Sequence, residues 1–441
     1  MNGMIPARLA MALTAAIFFA ASAHATAIVE EGAYVRDPRK KELAGFMKNR
    51  ELTVDHVTRE GYEVYGPRGL RDWLDLIGVE YYVEARDDDT AAYPSPEAVA
   101  KRLQDLHAAY PSITKLMNLG KSALGRELLI MKISDNPEVD EPEPEVKYIS
   151  SMHGDEITGR ELMMSLIEDL VKGYGKDERI AELVDNTEIF IMPSMNPDGS
   201  FARQRANANG ADLNRDFPDF STDDNQNTPE NRQPETQALM RFQAARHFAL
   251  SANFHGGAEV VNYPWDTTPE LHPQDALVKG LSLAYASKVP YMRDSSEFPG
   301  GITNGYAWYE VNGGMQDWSS FWYGDLQVTI ELSGAKWPDY GAIPRFYRDN
   351  KDALLEYLEA VHQGAGFRVA GKPGASGRVE IVRLVDGQSL GTFGFSGSEF
   401  YKVLDPGRYR FIVEPNGGDE RSLDVEVEAS RIFANGNYVT F

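Results

Sequence analysis

Cysteine is missing from all 441 residues. Its absence excludes disulfides, thiol nucleophiles and cysteine-ligated metals, so packed cores and other ligand types must hold the fold. Basic charge is scarce as well: 44 Lys and Arg stand against 67 Asp and Glu, a net charge of −23, with no basic run that would track a phosphate backbone. Nucleic acid is therefore not an expected partner, and the acidity reads first as solubility and only second as an affinity for cationic peptides. Beyond the N-terminal stretch no segment approaches the roughly 20 apolar residues that a membrane-spanning helix needs, so no stable membrane insertion of the remainder is expected.

The N-terminal exception is "MNGMIPARLAMALTAAIFFAASAHATA". One Arg, a short apolar run and Ala23-His24-Ala25 have the layout of a secretory leader over residues 1–25, which predicts export to the periplasm or out of the cell. The length exceeds one ordinary core, so two or three domains are expected. Residues 26–92 are charged and mixed; "ELTVDHVTREGYEVYG" reads as strand and "GLRDWLDLIGVEYYVE" as a short helix entering a strand, a βαβ-like accessory unit with an inhibitory or propeptide role as a secondary reading. "ARDDDTAAYPSP" then reads as a linker.

From residue 93 to 365 long elements alternate. "SPEAVAKRLQDLHAAYP" opens with an N-cap Ser and continues with helical periodicity, and the strand-like "ELLIMKIS", "EVKYISSMH" and "TEIFIMPSMNP" are separated by helix-like "GRELMMSLIEDLVKGY". This predicts an α/β domain, a mixed central sheet flanked by helices, with functional residues at strand ends. Residues 366–441, with short alternating strands and Gly, Pro and Asp-Gly turns, predict a small all-β sandwich. "STDDNQNTPENRQPE" has surface-loop composition.

In "SSMHGDEITGRELMM" His153 and Glu156 stand three apart at a strand-to-helix junction. An H-x-x-E pair also opens ordinary helices, whereas a catalytic zinc needs two or three N and O donors and an open position. His255 in "LSANFHGGAEVVNYPWD" is the third candidate, at the end of another strand-like run and followed by two glycines. For His56, His107, His247, His272 and His362 the ordinary reading is a surface or packed histidine. Between the donors, "SMNPDGSFARQRANANGADLNRDFPDF" is dense in Asn and Arg, and arginines near a metal grip carboxylates and stabilise oxyanions. Asp198 with Gly199 reads as a turn. Glu331 in "TIELSG" puts a carboxylate into an apolar strand, costly unless it has a partner, and suited to a general base beside a metal site.

Taken together, "HGDE", "NPDG", R-x-N-x-N-G-x-D-L-N-R-D-F-P, "HGGAEVVNYPWD", "AWYEVNGGMQDW" and "TIELS" resemble the zinc metallocarboxypeptidases, specifically carboxypeptidases N, E, D and M. The likeness runs from Tyr93 to the C-terminus, where "GSEFYKVLDPGRYRFIVEP" is similar to the family's transthyretin-like domain. The resemblance implies one Zn2+ per chain held by His153, Glu156 and His255, with Asp212 orienting His153. It assigns carbonyl polarisation to Arg205, the substrate's terminal carboxylate to Asn214, Arg215 and Tyr309, and the general base to Glu331. Asp266 and Gln316 fall where relatives that remove Lys or Arg carry an acidic residue and a Gln, although Asp266 also suits a cap for "TTPEL". Departures are Ser319-Ser320, where relatives often carry an aromatic residue, and the region before Tyr93, which the motifs do not cover. The expectation is a monomer that removes the C-terminal residue, preferably Lys or Arg, from peptides or proteins. Trimming of peptidoglycan stem peptides and an inactive peptide-binding homologue are the alternatives.

Overall fold

The computed structural model describes residues 30–49, 51–83, 93–371, 374–428 and 438–440. The leader expected over 1–25 and most of the acidic linker lie outside the described residues.

The first unit is an antiparallel sheet of β1 (Glu30–Arg36), β2 (Thr53–Asp55), β3 (Gly61–Pro67) and β4 (Tyr81–Tyr82), in the order β2-β3-β1-β4. Helix Leu70–Ile77 joins β3 to β4 and turns Leu70 and Leu74 onto Val35, Phe46, Val54, Tyr62 and Val64. The stretch "ELTVDHVTREGYEVYG" is thus two strands rather than one. The reversal comes at Thr58, whose hydroxyl accepts the N–H groups of Glu60 and Gly61 at 3.2 Å each, a side-chain turn that competes with extension.

The main sheet has eight strands: β5 (Thr114–Lys121), β6 (Glu127–Ile133), β7 (Glu145–Ser150), β8 (Glu188–Met192), β9 (Phe248–His255), β10 (Glu259–Tyr263), β11 (Ile302–Asn304) and β12 (Leu326–Leu332). Their order is β11-β10-β12-β9-β7-β8-β6-β5. The central β8, β7, β9 and β12 are mutually parallel and buried at every residue, as strands covered on both faces must be. Alternation along β6 separates the two faces: Leu129, Met131 and Ile133 join one core with helices Pro96–Ala109, Thr158–Gly173, Asp275–Lys288 and Ile343–Glu359. Leu128 and Ile130 join the other, against helices Pro234–Ala244 and Met315–Tyr323. The architecture is the expected mixed α/β sheet between helices. The polar stretch from Ser221 carries no helix or strand before Pro234.

The C-terminal strands are β13 (Gly364–Arg368), β14 (Gly377–Arg383), β15 (Gln388–Phe395), β16 (Glu399–Val403), β17 (Gly407–Pro415), β18 (Arg421–Val427) and β19 (Tyr438–Thr440). Sheets β16-β13-β19 and β15-β14-β17-β18 enclose one core in which Phe367 and Phe400 meet Val379, Ile381 and Phe411. No described helix is long and apolar enough to cross a membrane.

Buried ion pairs lie inside the main unit, among them Lys132 with Glu188 and Lys147 with Asp325. Lys147, in β7, is fully buried and bonded to Asp325, with Ser251 at 2.9 Å and Ser319 at 3.2 Å as further partners. Ser319, the departure noted in the sequence, serves this network by donating to Asp325 at 2.6 Å. Removing one member of a buried pair strands the other charge. Asp325→Ala is expected to cost about 3–5 kcal/mol in urea unfolding at neutral pH; a loss under about 1 kcal/mol contradicts this reading.

Candidate active site

Parallel strands end side by side, and that delivers the candidate donors. The chain leaves β7 through Ser151, in the left-handed region at φ 49°, and turns so that the Glu156 N–H reaches the His153 carbonyl at 3.3 Å before helix Thr158–Gly173 begins. His255 closes β9, and its register partner on β12 is Glu331. His153, Glu156 and His255 are only 2%, 1% and 3% exposed, so water contributes little to solvating their charge.

His153 Nδ1 lies 3.0 Å from Glu156 Oε1 and 3.0 Å from His255 Nδ1, and His255 Nδ1 lies 2.8 Å from Glu156 Oε2. The other nitrogen of His153, Nε2, is 3.0 Å from Asp212 Oδ1. A proton on Nε2 satisfies Asp212 and leaves the Nδ1 lone pair facing the carboxylate and the second imidazole. Two nitrogens and a carboxylate converging this closely fit a divalent cation of borderline softness, which is the donor chemistry of zinc. Burial and Arg205 push the His153 pKa down, but Glu156 and Asp212 outweigh them and hold it up at about 9. Burial pushes Glu156 upward, and His153, His255 and Lys336 more than reverse that, holding it well below the usual carboxylate range.

The segment after β8 supplies the positive charge. Asn196 caps helix Pro197–Ala202 by accepting the Gly199 N–H at 2.8 Å. Asp198 and Gly199 lie in that short helix and not in a free turn, and Asp198 accepts from Leu124 N–H and Arg126, each at 2.8 Å. Arg205, 1% exposed, donates Nε to Asp212 at 3.0 Å and Nη1 to Glu156 at 3.3 Å. Its Nη2 has no hydrogen-bond partner among the described residues. Burial raises and Arg205 with His153 lowers the Asp212 pKa, the net being well below the ordinary value.

Arg215 donates Nη1 to the Asn214 carbonyl at 2.9 Å, and the Asn214 side-chain oxygen accepts the Met315 N–H at 3.0 Å. Glu331 is 5% exposed; its Oε2 has no hydrogen-bond partner among the described residues. Asp266 and Gln316 meet at 2.9 Å, Gln316 Nε2 donating to Oδ1, which also accepts from Asn262 at 3.0 Å. Asp266 Oδ1 therefore serves these two amides and does not cap "TTPEL". A Cβ on Gly305 would stand 1.6 Å from the same oxygen, so only glycine leaves room for it. Burial lifts Asp266 to about 7 against the pull of Asn262, Arg215 and Gln316.

Four residues of this cleft were not found by sequence reasoning: Asp55, His56, Tyr65 and Lys336. Asp55, at the end of β2, accepts from Arg205 Nη1 at 2.5 Å, Tyr309 Oη at 2.8 Å and Lys336 Nζ at 3.1 Å. Arg215 Nη2 reaches the Val54 carbonyl at 3.1 Å. His56 is not an ordinary packed histidine. Its Nδ1 stands 3.2 Å from Asp55 and 3.3 Å from Glu63, and its Nε2 stands 3.5 Å from Glu331 Oε1. Gly257, at φ 125°, admits the ring, since a Cβ there would lie 2.2 Å from it. Tyr65 accepts from Lys336 at 2.8 Å. In the sequence they are marked only by the Asp-His pair inside the strand-like run "LTVDHV", which by itself does not set a site apart from a polar strand face. Beside these residues a cavity of about 420 Å³ is lined by Glu30, Tyr65, Asp155, Arg203, Arg205 and Lys336 among others.

A family model described as zinc carboxypeptidase matches residues 99–353. Carboxypeptidase D of Mus musculus is 37% identical over 372 residues, covering 79% of this chain and 26% of that protein, so the chain spans about a quarter of that relative's length. Carboxypeptidase M of Mus musculus is 39% identical over 353 residues, covering 74% of this chain and 79% of the relative. Among solved structures, carboxypeptidase A from Helicoverpa armigera superposes with a TM-score of 0.59 at 19% identity, over 76% of this chain and 98% of that one, a likeness of fold.

Asp212→Asn keeps the shape but removes the charge that fixes the His153 tautomer. Zinc affinity, read by competition with a chelating dye, is expected to fall about 10- to 100-fold, and an unchanged affinity contradicts the role.

Proposed function

The chain belongs to the zinc carboxypeptidase family, and on that premise we propose that it is an exported zinc exopeptidase that hydrolyses the last peptide bond of peptides or proteins and favours C-terminal Lys or Arg. The observation that supports this reading is a group of carboxylate-binding donors, Arg205, Tyr309 and Arg215, gathered beside the His153, Glu156, His255 cluster, two of which, Arg205 and Tyr309, hold the Asp55 carboxylate. A buried group of donors that satisfies one carboxylate selects chain ends over internal bonds, because an internal amide leaves the cations unpaired. Export rests on the leader-like residues 1–25.

His153, Glu156 and His255 would hold zinc, which would supply Lewis acidity to the scissile carbonyl and to the attacking water. Glu331 takes the proton from that water and returns it to the leaving amine, a task suited to a buried carboxylate with one oxygen unengaged. Arg205 offers its unpaired Nη2 to the developing oxyanion, while Asp212 keeps the guanidinium fixed through Nε. Asn214, Arg215 and Tyr309 hold the terminal carboxylate and so place the last peptide bond against Glu331. Asp266, steadied by Gln316, faces the side chain of the departing residue and rewards a cation there, since an anion in a desolvated pocket penalises anionic side chains. All three candidate donors and the candidate base are retained in the sequence, which favours an enzyme over an inactive binding homologue.

Glu331→Gln is expected to retain stoichiometric zinc and lose about 10²- to 10⁴-fold in kcat; turnover within about tenfold of the parent removes Glu331 from the role of base. The second test concerns pH. With its pKa raised to about 7, Asp266 is an anion above that pH and a neutral acid below it, so preference for C-terminal Arg over Phe is expected to grow as pH rises through 7. Asp266→Asn should flatten that dependence in kcat/KM; an unaltered profile in the variant contradicts it.

A further inference from the structure

We propose that Asp317 is a positioning residue for side-chain recognition: it holds the backbone of Asp266 so that the Asp266 carboxylate meets the cation of a departing Lys or Arg. This rests on the carboxypeptidase reading of the cleft and deepens its specificity.

Gln316 and Asp317 are neighbours in the first turn of helix Met315–Tyr323, and each takes hold of Asp266 at a different point. Gln316 Nε2 donates to the Asp266 carboxylate at 2.9 Å, whereas Asp317 Oδ2 accepts the main-chain N–H of Asp266 at 2.8 Å and that of Thr267 at 2.9 Å. An acid in a helix's first turn ordinarily answers the free N–H groups of its own helix, but this one serves a loop far back in the chain. Asp317 is 2% exposed, and its other oxygen, Oδ1, has no hydrogen-bond partner among the described residues. Burial and the neighbouring Asp266 push its pKa well above the usual carboxylate range, against the two N–H donors that pull it down. The group therefore works as an acceptor for two amides and not as a charge.

The helix that carries Asp317 is itself fixed. Met315 and Trp318 are fully buried in one core of the main sheet, and Ser319 and Ser320 tie the far side to Asp325 at 2.6 and 3.0 Å. On its other flank the loop is met by Val311, whose N–H reaches the Asp266 carbonyl at 3.1 Å, and by Asp219, 3.1 Å from the Thr267 hydroxyl. Asp317 thus passes the position of a rigid helix to the backbone that aims Asp266. The aim matters because the space is narrow. A Cβ on Gly314 would stand 3.6 Å from Asn214 Oδ1 and 3.8 Å from Asp266 Oδ2, so the specificity carboxylate lies close to the group assigned to the terminal carboxylate. A loop displaced here weakens a charge-assisted bond to a basic side chain, whereas an apolar side chain makes no such bond and loses little.

The test uses the zinc-loaded full chain with Asp317→Ala and Asp317→Asn. It reads kcat and KM on blocked dipeptides ending in Arg and in Phe, and the calorimetric Kd of L-arginine. In the alanine variant the Arg-ending substrate is expected to lose at least about tenfold in kcat/KM, mostly through KM, while the Phe-ending one changes less than about threefold. Asparagine keeps an acceptor in place, so its Arg-to-Phe ratio is expected to stay within about threefold of the parent's. Equal losses on both substrates, an unmoved ratio in the alanine variant, or an asparagine variant as impaired as alanine each overturn the positioning role and leave the peptidase reading standing. If no form cleaves any peptide, that reading falls and L-arginine decides: a Kd at least about tenfold weaker in the alanine variant alone upholds the positioning role, and equal Kd values overturn it. If the alanine variant does not fold, Asp317→Ser takes its place. The serine hydroxyl is too short to reach both N–H groups, so the ratio must still fall at least about fivefold, and an unchanged ratio overturns the proposal.

Discussion

Asp55, Glu156, Asp212 and Glu331 are four carboxylates each no more than slightly exposed in one cleft, and the site depends on how their charge is balanced. Anions out of water are tolerated only when each has a cation or a set of donors. Arg205 answers three of them at once, and because a guanidinium does not lose its proton it is a fixed charge that no pH in the ordinary range removes. Lys336 answers Asp55, Glu63 and Glu156 from the other side. The Nδ1 atoms of His153 and His255 converge on the Glu156 carboxylate, a donor set that fits a divalent metal.

The sheet gives this balance its geometry. β7, β9 and β12 are parallel neighbours, so the residues just past or at their C-terminal ends, His153, His255 and Glu331, are brought together without any long-range adjustment. The helices on both faces bury these strands completely, and the polar side chains that remain in them must then be paired, as Lys147 is with Asp325. The rule that α/β sheets open their sites at the carboxyl ends of strands has a plain cause here: that edge is where side chains escape full burial on two faces.

The parts of this legible in sequence were those with short-range signals. The run "EVKYIS" announces a covered strand, the H-x-x-E at its end follows within a few residues, and "TIELS" carries a charge that an apolar strand would not keep without a task. The α/β layout and the all-β tail followed from periodicity and turn residues. Asp55 and His56 were not legible, because their meaning lies in contacts with Arg205 and Tyr309, about 150 and 254 positions away, and nothing local distinguishes "TVDHV" from an ordinary strand with a polar face. The strand "ELTVDHVTREGYEVYG" was read too long for a related reason: Thr58 breaks it through its hydroxyl, a local bond that residue alternation does not register.

A cleft that selects a free chain terminus through paired cations beside a metal site must tell a terminal carboxylate from an amide. Two peptides of identical sequence ending in Arg, one with a free carboxylate and one amidated, test this most directly when incubated with the zinc-loaded protein and followed by mass spectrometry. The free acid is expected to lose a single C-terminal residue, a loss abolished by chelation, and the amide to be cleaved at least about a hundredfold more slowly. Cleavage of both peptides at similar rates, or at an internal bond, would contradict it.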